Sequence, residues 1–247
     1  MHDRYLAGQS HIKRTTLESY HWAMASQLFN RELSERSATY DRDAVWMAAA
    51  FMSWIVLYAV ETQNPEEVWP LSAASPDIPW FPIQKGLRTI WQMVQPGRVY
   101  SKFFKDVSTD PNERCLDMPS PRPGIAGIPQ ALVDMCELDQ YTNAENNPYQ
   151  SAVCTLSTVL RSSSTQSNSL GFLAFINATE PKFESMLRQR DPRSLCLMAL
   201  WYGIVPKLAW WISLRASLER KAIRIYLDRY HPHDPLIQTV LASLRTT

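Results

Sequence analysis

The chain has 247 residues, enough to bury a sizeable core, and its 25 basic and 24 acidic side chains leave a net charge of +1, so no global field favours nucleic acid or an acidic surface. Its four cysteines, at 115, 136, 154 and 196, form no C-x-x-C pair, which argues against a disulfide framework or a structural zinc and for buried thiols in a reducing compartment. Seven glycines and little period-two alternation leave strands and Gly-rich phosphate loops without support, and the expected fold is one all-α domain over 1–247.

The first thirty residues carry His2, Asp3, Arg4, Lys13, Arg14 and Glu18 and no continuous apolar stretch, so no secretory signal is expected and the expected location is intracellular, in cytoplasm or nucleus. A short helix is expected over 4–13. Thr15-x-x-Glu18 then reads as a capping box, and Leu17, Tyr20, Met24 and Leu28 follow at helical spacing, predicting a helix over 16–33. The uncharged run AVWMAAAFMSWIVLYAV predicts a helix over 43–62, and another is expected over 83–95. From 96 to 128 the prolines 96, 111, 119, 121 and 123 make a long Pro-rich connector, because proline removes amide donors that a packed helix would need.

Beyond the connector, helices are expected over 129–141, 170–177 and 181–189, with a polar loop at 161–169 (RSSSTQSNS). Asn147-Pro148, Asp191-Pro192 and Asp234-Pro235 each set a good cap before a proline suited to a first helical turn. The run SLCLMALWYGIVPKLAWWISL, residues 194–214, contains Pro206 and Lys207, so it reads as two helices, 192–205 and 207–229, joined by a bend near Gly203 to Pro206. In the second of these, Trp211, Leu214, Leu218, Ala222 and Ile225 form an apolar stripe, with Arg215, Glu219 and Arg224 outside it. The total is about eight to ten helices in a bundle or orthogonal arrangement.

Neither apolar run suits a membrane. A span needs about 20 predominantly apolar residues; the first run stops at seventeen between Asp43 and Glu61, and the second has a lysine at its centre, where a charge facing lipid is costly. Both read as central helices. They are unusually rich in large aromatics and methionines, whose polar tips and adaptable shapes suit the wall of a hydrophobic pocket as well as plain core. The candidate ligand-binding residues are Met47, Phe51, Trp54, Tyr58, Trp91, Met198, Trp201 and Tyr202.

The segments YLAGQSHIKR, YHWAMASQLFNRELS, DAVWMAAAFMSWIVLYAV, IPWFPIQKGLRTIWQ and PRSLCLMALWYGIVPKLAWWISLRASLERKAIRIYL follow one another in an order that resembles the C-terminal regulatory domain of fungal zinc binuclear cluster transcription factors, in particular the branch of the sterol uptake control proteins. The resemblance covers essentially the whole chain. It implies an all-α bundle that holds a hydrophobic effector and controls transcriptional activation. The family's cysteine-rich DNA-binding cluster and the basic linker after it are absent, so this chain is not expected to contact nucleic acid directly. Whether it is a piece of a longer factor or a stand-alone protein stays open at this point.

Two rival classes remain beside that one. A greasy helical pocket could catalyse cyclisation or isomerisation of a terpenoid or polyketide by positioning, with acid or base help from His11, His21, Asp43 or Lys207; each also has a plain role at a helix end or surface. A protein–protein interaction or dimerisation module would instead expose an apolar patch, and a homodimer is a candidate assembly. No metal or cofactor is expected: HPHD at 231–234 reads as a turn and not a metal site, and the aspartate-rich magnesium motif, G-x-S-x-G, P-loop and G-x-G-x-x-G patterns do not occur.

Overall fold

The computed structural model describes residues 6–9, 13–35, 41–72, 78, 80–94, 123–162, 175–176, 178–207 and 209–243. They form nine α-helices and no strand, so the fold is all-α. The helices are α1 (Thr16–Glu35), α2 (Arg42–Tyr58), α3 (Phe81–Val94), α4 (Gln130–Met135), α5 (Gln150–Ser162), α6 (Pro181–Arg188), α7 (Pro192–Ile204), α8 (Ser213–Tyr230) and α9 (Pro235–Ser243). No helix among the described residues is long and apolar enough to cross a membrane.

Local signals explain most starts. The Thr15 amide donates to Glu18 at 2.7 Å and the Glu18 amide to the Thr15 hydroxyl at 3.2 Å, a closed capping box at the head of α1. Asp41 accepts from the amides of Asp43 and Ala44 before α2. Asp191 accepts the Ser194 amide at 2.8 Å before α7, and Asp234 those of Leu236 and Ile237 before α9. Asn147 accepts the amide of Tyr149 at 2.9 Å, so its turn comes before the first turn of α5 and Pro148 lies ahead of the helix.

Several boundaries differ from expectation. Helix α4 stops at Met135 instead of running to 141, because Glu137 turns the chain with φ 53. The Leu138 amide bonds to Val133 O and the Glu137 amide to Asp134 O, which is a Schellman stop with a non-glycine residue at its left-handed position. Arg190, φ 59, ends α6 in the same way through Asp191 to Met186 and Arg190 to Leu187. Helix α2 ends at Tyr58, not 62. After Ile204 the chain makes a 3-10 turn over Val205–Lys207, is extended at Ala209, and makes a second 3-10 turn over Trp210–Ile212 before α8 begins at Ser213. Pro206 has no amide to continue α7, so α8 starts six residues later than the 207 expected.

The expected helix over 170–177 and the connector over 96–128 lie mostly outside the described residues; of the helix expected over 4–13, residues 6–9 and 13 are described, and Ala7 and Gly8 form a turn, with Gly8 at φ 66. The end of the connector that is described is packed, with Ile125 and Ile128 against the main core. That core is built around α7, whose Leu195 to Ala199, Trp201 and Tyr202 are buried, and gathers side chains from α2 and from α4 through α9. A smaller cluster of Val45, Trp46, Ala49, Leu87 and Val94 joins α2 to α3, and Phe29 and Leu33 of α1 pack on it. Cys136 and Cys196 are buried free thiols and Cys154 is a half-buried one; burial pushes the Cys136 thiol up to about 12.

Candidate functional site

Met47, Phe51, Trp54 and Tyr58 recur at i, i+4, i+7 and i+11 on α2 and so share one face. This face runs from exposed to buried: Phe51 is 48 % exposed, Met47 and Trp54 are half-buried, and Tyr58 is buried. The second 3-10 turn lies against its C-terminal half. There the rings form a continuous chain, Phe51 to Trp54 (5.1 Å, 82°), Trp54 to Trp211 (5.0 Å, 33°), Trp211 to Trp210 (6.0 Å, 86°) and Trp210 to Tyr58 (6.2 Å, 73°). Mostly edge-on geometry of this kind is the favoured one between aromatic quadrupoles.

The other sequence candidates lie elsewhere. Trp91 meets Trp46 edge-on at 4.9 Å in the small cluster, roughly 100° round α2 from Met47. The Trp46 indole N–H there is buried with no hydrogen-bond partner among the described residues. Met198, Trp201 and Tyr202 are buried in the main core. Trp201 is sandwiched between Trp80 (6.0 Å, 15°) and Phe175 (5.8 Å, 23°). The eight residues are therefore divided among the α2 face, whose Met47 also packs on the α2–α3 cluster beside Trp91, and the α7 core.

Behind the C-terminal end of the α2 face lies a polar cluster that sequence patterning placed outside the core. Arg215 and Glu219 of α8 are only 9 % and 3 % exposed. Arg215 Nε donates to Leu57 O at 2.9 Å, and Nη2 donates to Val56 O at 3.1 Å and Ala59 O at 2.8 Å. Its Nη1 meets Glu219 Oε1 at 2.5 Å, while the other oxygen of Glu219 accepts from Trp80 Nε1 at 3.4 Å and from the Tyr202 hydroxyl. Burial, and then the Glu219 charge, push the Tyr202 phenol well above its ordinary value, so it stays a proton donor to the carboxylate. The fork of a guanidinium suits three orphan carbonyls at a helix end, where a positive charge also opposes the helix dipole. The cation therefore goes inward, and α2 stops where its carbonyls are taken.

This cluster is filled by its own partners and fixes the α2 face. Of the acid and base candidates, His21 is exposed on α1 with its ring edge-on to Tyr20 at 5.6 Å, and Asp43 is half-buried in the first turn of α2. His11 and the Lys207 side chain lie outside the described residues. Among the described residues no group of three His, Cys, Asp or Glu side chains could hold a metal ion. No protein-family model, curated protein or solved structure matches the chain.

Proposed function

We propose that the chain is a regulatory-type domain that binds a hydrophobic small molecule of sterol, terpenoid or polyketide kind against the aromatic face of α2. The observation that carries this reading is the ring chain from Phe51 through Trp54, Trp211 and Trp210 to Tyr58, which begins exposed and ends buried. Large rings left partly in water gain by covering, at about 25 cal/mol per Å² of apolar surface removed from solvent. Met47 beside them adapts to an irregular apolar shape. The resemblance to the sterol uptake control branch of fungal zinc cluster factors points to the same ligand class and to transcriptional control as its use.

The test is titration of the 247-residue chain with a panel of sterols, terpenoids and polyketides, read by tryptophan fluorescence and native mass spectrometry. Saturable binding that Trp54→Ala and Trp211→Ala each weaken by about tenfold or more, in variants that remain folded, is the expected result. A chain that carries no such molecule from the cell and binds none of the panel sinks the proposal.

A further inference from the structure

Helix α1 has 20 residues, a length of about 30 Å, yet none of its described side chains, Thr16 to Ser34, is buried. The half-buried ones are Glu18, Trp22, Ser26, Phe29 and Leu33. They recur at intervals of four, four, three and four, so they make one narrow stripe along the helix. Of these, Phe29 and Leu33 rest on the small cluster built by α2 and α3. In α7, by contrast, Leu195 to Ala199, Trp201 and Tyr202 are all buried. Leu17, Tyr20, Met24 and Leu28 lie roughly half a turn round α1 from its stripe and are 64, 58, 39 and 46 % exposed. The outer face of α1 therefore adds nothing to its docking.

What shapes α1 is local. The Thr15–Glu18 box closes its head, the Ser34 hydroxyl donates to Asn30 O at 2.8 Å near its tail, and the Arg14 guanidinium lies 4.9 Å from the Trp22 ring. These three contacts tie the helix to itself and not to α2. In water a helix of this length is marginal without packing, and the free energy needed to open a segment follows the apolar contacts that must be broken. For α1 those are the contacts of two half-buried side chains, whereas α7 is embedded in the main core. The cluster beneath α1 also strands the Trp46 indole N–H, buried without a hydrogen-bond partner among the described residues, a cost of the closed arrangement that falls away wherever water reaches the indole.

We propose that α1 is a docked arm, which lifts off the α2–α3 cluster and returns as one unit while α2 to α9 stay folded. The domain then has a closed form and an open form, and they differ in the apolar surface that Phe29 and Leu33 cover. This stands apart from the effector-binding reading, which rests on the ring chain from Phe51 to Tyr58. The experiment is amide hydrogen exchange of the full 247-residue chain, resolved by residue with NMR, in urea from zero to just below the unfolding midpoint. The α1 amides from Ser19 onward are expected to share one protection factor, at least about a hundredfold below that of the α7 amides, with little urea dependence because little surface is uncovered. Phe29→Ala should speed exchange in α1 by about tenfold and leave α7 unchanged, whereas Met24→Ala, on the outer face, should change α1 by less than about twofold. An α1 as well protected as α7, or one whose exchange rises with urea as steeply as that of α7, overturns the proposal, because α1 would then open only with the whole domain. So does protection that declines from the middle of α1 to its ends and ignores Phe29→Ala, which is fraying and not undocking.

Discussion

Arg215 donates to the carbonyl oxygen of Ala59 at 2.8 Å across 156 positions of sequence, and with its bonds to Leu57 and Val56 it ties the end of α2 to α8. Replacing it with methionine would orphan three carbonyls and leave the Glu219 carboxylate buried without its cation. Arg215→Met is expected to lower unfolding free energy by about 3–5 kcal/mol, measured by urea denaturation. Arg215→Met combined with Glu219→Gln should cost less than the single change, because the unpaired charge is gone; a double variant as unstable as the sum of both singles would count against the pairing.

Trp201 and Trp54 both read as pocket residues by sequence, yet one is wholly buried and the other half-buried. Trp201→Ala removes a ring stacked on both sides and should cost about 3–5 kcal/mol. Trp54→Ala should cost clearly less in stability. Urea midpoints of the two variants, compared at equal slope, check the order.

Asp191 caps α7 and also accepts the Tyr149 hydroxyl at 3.0 Å, whereas Asp234 caps α9 alone among the side-chain bonds. Asp191→Ala is expected to destabilise by about 1–2 kcal/mol and Asp234→Ala by about 1 kcal/mol. Thermal denaturation of the two variants side by side should show the larger fall in Tm for position 191.

Burial raises the thiols of Cys136 and Cys196 far above neutrality, and the thiolate is the reactive form. At pH 8 in the native protein, iodoacetamide should therefore leave both unmodified, with labelling after denaturation. Peptide mapping reads this directly; rapid native alkylation at either position would show that α4 or α7 opens.

Much of the fold was legible because its signals are local. The Thr15–Glu18 box and the aspartates before α7 and α9 act within three residues of themselves, and the period of Met47, Phe51, Trp54 and Tyr58 follows from helix geometry alone. The stop of α6 fell within one residue of the expected 189, but that of α4 was not legible, because Glu137 occupies a left-handed position usually marked by glycine. The inward turn of Arg215 and Glu219 was misread for a related reason: charges on a helix are normally solvated, and the carbonyls that draw this pair inside come from a distant helix. Within the candidate site, spacing could group the α2 residues. It could not say that Trp210 and Trp211 would cover that face while Trp201 turned the other way, since that depends on how the chain passes Pro206.

The dependence of α2 on Arg215 has a consequence for synthesis. A chain emerging from the ribosome makes α2 well before the residue that closes its last turn, which follows Ala59 by 156 positions. Until then the Val56, Leu57 and Ala59 carbonyls have no fork to hold them and the rings of Trp54 and Tyr58 lack the Trp210–Trp211 pair. The aromatic face is thus completed only after a long stretch of chain has followed α2, and a polypeptide cut before Ser213 would leave that face unclosed, the exposed apolar surface on which aggregation begins.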